Sequence, residues 1–252
     1  MDRKRIKIDL LVHDLKVPLA VVESGVTMLL QRPDKYGPLT SKQNKILKRI
    51  LRNAKSTKIL VNDALELGRA REGIVKLTNF TFSKLLENTL IELFDLIDNT
   101  AAEKIKTCKD LPELKSCLAK NGLALNIEEG LWLREFYMDE AKIKQILRNL
   151  LNNALKYRKA FVEIDIDAKE DHLILSVKDD GEGIPSAYHK KIFESYFYLE
   201  VKEESVIRGT GLGLAGVMVL VEDLGGRLFL ESEAGEGATF SVKIPLAKKH
   251  DQ

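Results

Sequence analysis

The spacing of the apolar residues changes near residue 75, and this change constrains the fold more than any other feature of the chain. From Asp2 to Gln31 apolar residues recur three and four positions apart, and the same spacing continues from residue 41 to about Arg71. Such spacing places apolar side chains on one face of a helix. After residue 76 short alternating runs stand between helical patterns, which is typical of strands. The sequence therefore predicts a helical domain over residues 1–75 and an α/β domain over residues 76–252.

The helical part predicts a hairpin, because the segment 32–39 contains two prolines and a glycine and is a predicted loop. Pro18 lies inside the first predicted helix, where it would produce a kink. The second helix carries two apolar rows, which together are wider than a pair of helices needs. The first row is Ile46, Ile50, Asn53, Thr57, Leu60, Ala64 and Leu67, in which Asn53 and Thr57 are polar, and the second is Leu47, Leu51, Ala54, Val61 and Leu65. Two hairpins would complete a four-helix bundle, so we expect a homodimer through residues 1–75. The alternative is a hairpin that packs on the second domain of its own chain.

The second part predicts an α/β sandwich with a mixed or antiparallel sheet and helices on one face. The alternating runs are 162–166, 173–177, 228–230 and 240–244, and the helical patterns are 83–97, 139–159 and 214–224. Residues 99–121 are polar and weakly patterned, and the sequence assigns them no role.

The balance of charge excludes some partners. The net charge is +2, with 40 basic and 38 acidic residues, so no strong field favours nucleic acid or an anionic membrane. No apolar run is long enough for a membrane span or a signal peptide. Cys108 and Cys117 have neither a CxxC spacing nor a neighbouring histidine, and we interpret them as free thiols of a cytoplasmic protein.

Three polar residues share one face of the predicted helix near residue 150. Asn149, Asn153 and Lys156 stand at positions i, i+4 and i+7. An amide oxygen is a suitable neutral ligand for Mg²⁺, and an ammonium group balances phosphate charge. This face favours a magnesium–triphosphate group, and a polar face open to water is the alternative.

Two glycine-rich segments accompany this helix. Residues 179–185 follow a predicted strand, and Gly209–Leu214 opens a predicted helix. Glycine lets the backbone approach a phosphate closely, and the free N–H groups at a helix start favour negative charge. The spacing Gly211-x-Gly213-x-x-Gly216 matches a dinucleotide fingerprint, but no strand precedes it, so the Rossmann interpretation fails.

Six motifs of the chain resemble those of sensor histidine kinases, and they follow one another in the order found in that family. Residues 149–157, 179–183, 191–194, 209–214 and 235–240 resemble the N, G1, F, G2 and G3 boxes of the ATP-binding domain. Residues 13–19 resemble the phospho-acceptor box. The resemblance covers nearly the whole chain. It implies a dimeric helical hairpin followed by an α/β sandwich of the GHKL ATPase (Bergerat) type.

The resemblance also implies an activity. The chain would be an ATP-dependent protein-histidine kinase that uses ATP and Mg²⁺, phosphorylates itself and passes the phosphoryl group to an aspartate of a response regulator. His13 would be the phospho-acceptor and Asp14 the acid that orients it. Both roles suit the chemistry, because a neutral imidazole is a nucleophile near pH 7 and a carboxylate stabilises the charge that forms on it.

The nucleotide-binding roles follow from the same resemblance. Asn153 would bind Mg²⁺, Asn149 and Lys156 would lie near the phosphates, Tyr157 beside the adenine, and Asp179 would accept from the adenine amino group. The remaining expected cofactor-binding residues are Gly181, Gly183, Arg208, Gly209, Thr210, Gly211, Leu212, Gly213, Leu214 and Thr239. Residues 195–208 would form a mobile lid.

The chain departs from its relatives at two positions that bear on function. Asn149 stands where gyrase-type and Hsp90-type ATPases and anti-sigma serine kinases have a glutamate, and an amide cannot take a proton from water. We therefore expect slow ATP hydrolysis. The alternatives to a histidine kinase are a GHKL-type ATPase clamp and a nucleotide-binding dimeric scaffold. Val17 stands where many histidine kinases have Thr or Asn, which predicts weak phosphatase activity. Because the first bundle helix starts at the beginning of the chain, we expect either a fragment of a longer kinase or a kinase that takes its signal from a partner.

Overall fold

The computed structural model describes residues 8–70, 75–169, 171–193 and 213–246, and gives the backbone alone for residues 8–14, 56, 59, 60, 62–70 and 96. The chain divides into two compact units, Met1–Glu72 and Gly73–Gln252. Within the described residues, no helix is long and apolar enough to cross a membrane.

The first unit is a helical hairpin, as predicted. Helix α1 (Ile8–Gln31) packs against helix α3 (Ser41–Ala70), and the short helix α2 (Pro33–Tyr36) lies between them. The prediction of a plain loop over residues 32–39 was wrong at α2. Pro33 stands at the start of α2, where its fixed φ suits a first helical turn and its missing N–H costs nothing. Helix α1 continues through Pro18.

The two apolar rows of α3 have different surroundings. In the second row Ala54 is buried and Leu47 and Leu51 are half-buried, on the side where Lys58 Nζ pairs with Glu23 Oε2 of α1 at 3.1 Å. In the first row Ile46 is 48% exposed and Ile50 39% exposed. The hairpin therefore buries one row and leaves the described part of the other on its surface.

The second unit contains a five-stranded mixed sheet and a separate two-stranded sheet. In chain order its elements are β1 (Thr78–Thr81), α4 (Phe82–Ile97), α5 (Asn99–Thr107), α6 (Leu111–Ala119), β2 (Leu123–Asn126), α7 (Glu129–Leu133), β3 (Glu135–Met138), α8 (Glu140–Tyr157), β4 (Val162–Lys169), β5 (His172–Asp179), α9 (Gly213–Asp223), β6 (Arg227–Ser232) and β7 (Ala238–Pro245), with short 3₁₀ helices at Ser186–Tyr188 and Lys191–Phe193. The strand order is β2-β4-β5-β7-β6; β2 is parallel to β4, and the other neighbours are antiparallel. Strands β1 and β3 form the small antiparallel sheet.

The core of the second unit lies between the sheet and helices α4, α8 and α9. Alternate residues of β4 (Val162, Ile164 and Ile166) are buried, as the period of two requires. From the helices, Phe82, Leu86, Leu90, Ile143, Leu147 and Val217 are almost fully buried. The predicted architecture, a helical hairpin followed by an α/β sandwich, is confirmed.

The segment 99–121 folds into α5 and α6. The carboxylate of Asp98 accepts from the N–H groups of Thr100 and Ala101 at the start of α5, and Asp110 caps α6 in the same way. Helix α5 buries two alanines and a single larger apolar residue, Ile105. So small an apolar face explains why the pattern of α5 was weak. Helix α6 buries Leu111, Leu114 and Leu118, which stand three and four positions apart and do follow a helical pattern.

Candidate functional site

Helix α8 carries the predicted polar face, and its first two members contact the start of helix α9. Asn149 is only 8% exposed, and its Nδ2 donates to the Gly213 carbonyl oxygen at 3.3 Å. Asn153 lies one turn further on and is half-buried; its Nδ2 is 3.9 Å from the position that a Cβ on Gly213 would occupy. The two amides therefore lie beside the backbone at the start of α9, and a Cβ on Gly213 would meet Asn153 at an ordinary van der Waals distance.

The last turn of α8 joins a cation to an aromatic ring. Lys156 Nζ donates to the Tyr157 hydroxyl oxygen at 2.8 Å and lies 4.5 Å from the centroid of the Tyr157 ring. A cation at this distance from a ring is attracted by its quadrupole. The residues predicted to meet phosphate and adenine thus form one cluster.

Asp179 ends strand β5 with a buried carboxylate. Its Oδ1 accepts from the Gly181 N–H at 2.9 Å, and the residue is 6% exposed. Burial raises the pKa of Asp179, while the backbone N–H groups of Gly181 and Ala238 act in the opposite direction. A carboxylate removed from water in this way gains from any further N–H donor that reaches it.

Two glycines are required where the loop after β5 meets its neighbours. A Cβ on Gly181 would overlap the Tyr157 carbonyl oxygen. Gly183 has a φ of 69°, and a Cβ there would overlap the Glu233 carbonyl oxygen. Ser232, which the sequence did not single out, joins the same loops: its Oγ accepts from the Ile184 N–H at 2.8 Å and donates to the Gly237 carbonyl oxygen at 2.6 Å.

The sheet separates Thr239 from the other expected site residues. Ala238 pairs with Asp179, whereas Thr239 pairs with Lys178. Directly paired residues of antiparallel strands share a face, so Thr239 and Asp179 lie on opposite faces. Ala238 is buried beside Asp179, and its side chain has no hydrogen-bonding group.

Several predicted site residues lie outside the part of the chain that the structure describes in full. Arg208, Gly209, Thr210, Gly211 and Leu212 lie outside the described residues, as does the predicted lid 195–208. Gly213 and Leu214 are the first two residues of α9 and are half-buried. His13 and Asp14 lie within α1, where the structure gives only their backbone.

The donors near α8 fit a magnesium ion that is bound together with phosphate. In the described parts of the chain, no three His, Cys, Asp or Glu side chains converge as a metal site would need. Asn153 supplies one neutral oxygen, and Mg²⁺ at nucleotide sites commonly takes its remaining ligands from phosphate and water. The residues present are therefore compatible with a metal that arrives with its nucleotide.

Two family models match the chain, one on each unit. Residues 8–73 match the His Kinase A (phospho-acceptor) domain. Residues 138–248 match the histidine kinase-, DNA gyrase B-, and HSP90-like ATPase.

Relatives match across both units, and the chain spans about a third of the length of the curated relatives that it matches. The chain is 32% identical over 237 residues to the circadian input-output histidine kinase CikA of Synechococcus elongatus, which is 92% of this chain and 29% of that protein. The solved structure of full-length ShkA in complex with AMPPNP covers 97% of this chain, with a TM-score of 0.62 and 25% identity, and 46% of the ShkA chain is matched. The fold also resembles the Acinetobacter baumannii histidine kinase AdeS, with a TM-score of 0.55, 20% identity and coverage of 94% of this chain and 98% of that one.

The fold and the site define a class: a phospho-acceptor helical hairpin joined to a GHKL nucleotide-binding domain. Both family models and the matches across both units agree with this class. The chain belongs to the sensor histidine kinases, and it comprises their catalytic core.

Proposed function

We propose that this chain is an ATP-dependent protein-histidine kinase that phosphorylates His13 and passes the phosphoryl group to an aspartate of a response regulator receiver domain. The observation that carries the proposal is the contact of Asn149 with Gly213. In this position the amide binds the start of α9, and it cannot act as the general base that would take a proton from an attacking water molecule. ATP would therefore persist in the site until a nucleophile from the protein reaches it.

The nucleotide would bind across α8, the end of β5 and the start of α9. Asp179 accepts from the adenine amino group, which satisfies its buried carboxylate. Tyr157 packs beside the base, and Lys156 balances phosphate charge. Asn153 ligates Mg²⁺, which when bound neutralises charge on the transferring phosphoryl group.

His13 and Asp14 would carry the chemical step. Asp14 would accept from one imidazole N–H, so that the other nitrogen stays unprotonated and is the nucleophile. A bond forms between that nitrogen and the γ-phosphorus, and the bond from phosphorus to the bridging oxygen of ADP breaks. In the second step the phosphoryl group moves to the carboxylate of the receiver aspartate, and His13 is regenerated.

We also propose that residues 1–75 form a homodimer and that the chain works in the cytoplasm. The exposed apolar side chains of the hairpin support the dimer, since a second hairpin would bury them. Two free thiols, Cys108 and Cys117, support a reducing compartment.

Val17 supports a kinase with weak phosphatase activity. Its side chain is 54% exposed and has no polar atom that could position water near His13. A phosphorylated receiver domain, mixed with the protein and ADP, should lose its phosphoryl group only slightly faster than alone, and Val17→Thr should increase the rate of loss. Rapid loss with the wild-type protein would contradict this part of the proposal.

The main test is incubation with γ-labelled ATP and Mg²⁺. Wild type should gain an acid-labile, base-stable label, Asn153→Ala should gain little, and His13→Gln should bind ATP without gaining label. Label that persists in His13→Gln would overturn the assignment of the acceptor. Rapid ATP turnover without a phosphoprotein would favour the ATPase clamp. ATP binding without turnover and without a phosphoprotein would favour the scaffold.

A further inference from the structure

Asp180, next to Asp179, bonds the end of β5 to the segment that follows α8. Its Oδ1 accepts from the backbone N–H groups of Lys159 at 2.9 Å, Ala160 at 3.1 Å and Phe161 at 3.0 Å. Its Oδ2 accepts a second bond from Ala160 at 3.1 Å. The Asp180 N–H also donates to the Phe161 carbonyl oxygen at 3.3 Å. One residue thus engages three successive residues that are 19 to 21 positions away in the sequence.

These bonds lie between the two sides of the proposed adenine site. Lys159 comes two residues after Tyr157, and on the other side Gly181 lies against the Tyr157 carbonyl oxygen. Residues 179–181 and residues 157–161 are therefore in contact on both sides of the Asp180 carboxylate. Hydrogen bonds from N–H groups to an ionised acceptor are about twice as strong as neutral ones. The Phe161 N–H, followed by those of Ala160 and Lys159, lowers the pKa of Asp180, so the carboxylate is ionised at neutral pH.

The contacts of Asp180 leave Oδ1 no direct role toward a ligand. An ionised carboxylate oxygen has about two lone-pair sites, and Oδ1 already accepts three N–H groups. Binding of a metal ion through this oxygen would require these bonds to break. Any effect that Oδ1 has on nucleotide binding must therefore come through the residues that it holds. Oδ2 accepts one of these N–H groups, that of Ala160, and Asp180→Asn, which keeps Oδ1 and replaces Oδ2, tests whether Oδ2 acts directly.

We infer that Asp180 is a positioning residue, which sets the spacing between Asp179 and Tyr157 and thereby the selectivity of the site for adenine. The inference rests on the proposed ATP binding. Recognition of the adenine edge depends on the distance between the Asp179 carboxylate and the Tyr157 ring beside which the base lies. Phosphate binding through Asn153 and Lys156 does not depend on this distance. Loss of the Asp180 bonds should therefore affect ATP more than GTP.

The test compares Asp180→Ala with Asp180→Asn. Alanine removes all four side-chain bonds, whereas asparagine keeps an Oδ1 acceptor for three of them. We expect Asp180→Ala to weaken ATP binding by about tenfold and to leave GTP binding nearly unchanged. A misplaced hydrogen bond between the adenine amino group and Asp179 should lower the affinity by about this factor. Asp180→Asn should keep the wild-type ratio of the two affinities. Both dissociation constants are measured by isothermal titration with Mg²⁺, and the melting temperature of each variant is measured by calorimetry.

Asp98→Ala is the matched control. Asp98 is an exposed aspartate that likewise accepts backbone N–H groups, those of Thr100 and Ala101, but neither residue belongs to the proposed site. Its removal should lower the melting temperature and leave the ratio of ATP to GTP affinity unchanged.

The outcomes separate positioning from simple stabilisation. An Asp180→Ala protein with a lower melting temperature but an unchanged ratio would overturn the inference. If Asp180→Ala does not fold, Asp180→Glu is the deciding variant, because it keeps the charge and moves the acceptor by one methylene. An unchanged ratio of ATP to GTP affinity in Asp180→Glu would also overturn the inference. If the wild-type protein binds neither nucleotide, the proposed function itself fails.

Discussion

Cys108 shows how far its neighbours change the chemistry of one residue. Its thiol donates to the Lys104 carbonyl oxygen at 3.4 Å at the end of α5. Burial, followed by the Cys117 thiol and the carboxylates of Glu113 and Glu87, raises the pKa of Cys108 to about 11. The thiol is therefore protonated at neutral pH, and only the thiolate reacts with alkylating agents.

We predict that Cys108 is alkylated slowly by iodoacetamide. At pH 8 about one molecule in a thousand carries the thiolate, against roughly a quarter for an ordinary thiol with a pKa of about 8.5. The rate should increase about tenfold per pH unit between pH 7 and pH 10. Mass spectrometry of the peptides that contain Cys108 follows the rate, and urea-unfolded protein is the control, where the rate should be ordinary. A rate that levels off near pH 9 in the folded protein would contradict the raised pKa.

Helical spacing made some site residues predictable, and strand register made others unpredictable. Asn149 and Asn153 share a face wherever a helix forms, so the sequence alone placed them together. Thr239 lies in a strand, where a shift of one residue reverses the face, and the motif does not specify the pairing of β7 with β5. The partners of Asp180 are 19 to 21 residues away, so no local pattern indicates them.

At the scale of elements, α8 and α9 are joined by a buried ion pair. Lys142 Nζ in the first turn of α8 lies 2.7 Å from Asp223 Oδ2 at the end of α9, and the two side chains are 11% and 14% exposed. The same two helices meet again at Asn149 and Gly213. The pair therefore helps to determine how the helix of the polar face lies against the helix that follows the glycine-rich segment.

We predict that Asp223→Leu destabilises the second unit by about 3–5 kcal/mol, because it leaves the Lys142 ammonium buried without a partner. The double variant Lys142→Met/Asp223→Leu should recover most of this free energy of unfolding, since it removes both charges. Urea unfolding of the full chain measures both. Lys106→Ala is the control: Lys106 and Glu103 are also 2.7 Å apart, but their side chains are 41% and 61% exposed, so the urea midpoint should change little. Equal effects of the single and double variants would rule out an unpaired charge as the cause.

Among the strands, length decided whether the sequence revealed an element. The predicted helices of the second unit became α4, α8 and α9, and the four alternating runs became β4, β5, β6 and β7. Strands β1, β2 and β3 have four residues each, too few for an alternation to stand out from chance. The four-residue helix α2 depends on a proline at its start, in a segment whose composition favours a loop.

At the scale of the whole molecule, the two units differ in how completely they bury their apolar residues. The second unit has a continuous core between sheet and helices, whereas among the described side chains of the hairpin only Val26 and Ala54 are apolar and buried. On α1, Val17, Val21 and Met28 are 54%, 67% and 41% exposed, and Ile46 and Ile50 of α3 are also exposed. A helix pair with so little buried surface gains stability from a second copy.

We predict that the chain is a dimer and that Val21→Lys or Ile50→Lys makes it a monomer. In a single hairpin both positions face water, so a lysine there costs little. In a four-helix bundle the same lysine would be buried without a partner, and its charge would oppose association. Light scattering on the full chain at tens of micromolar should give about twice 28.4 kDa for wild type and 28.4 kDa for each variant. Leu133→Lys is the control, because Leu133 is 64% exposed but lies in the second unit, and this variant should stay dimeric. A monomeric wild-type protein would exclude the bundle, and a monomeric Leu133→Lys would move the interface to the second unit.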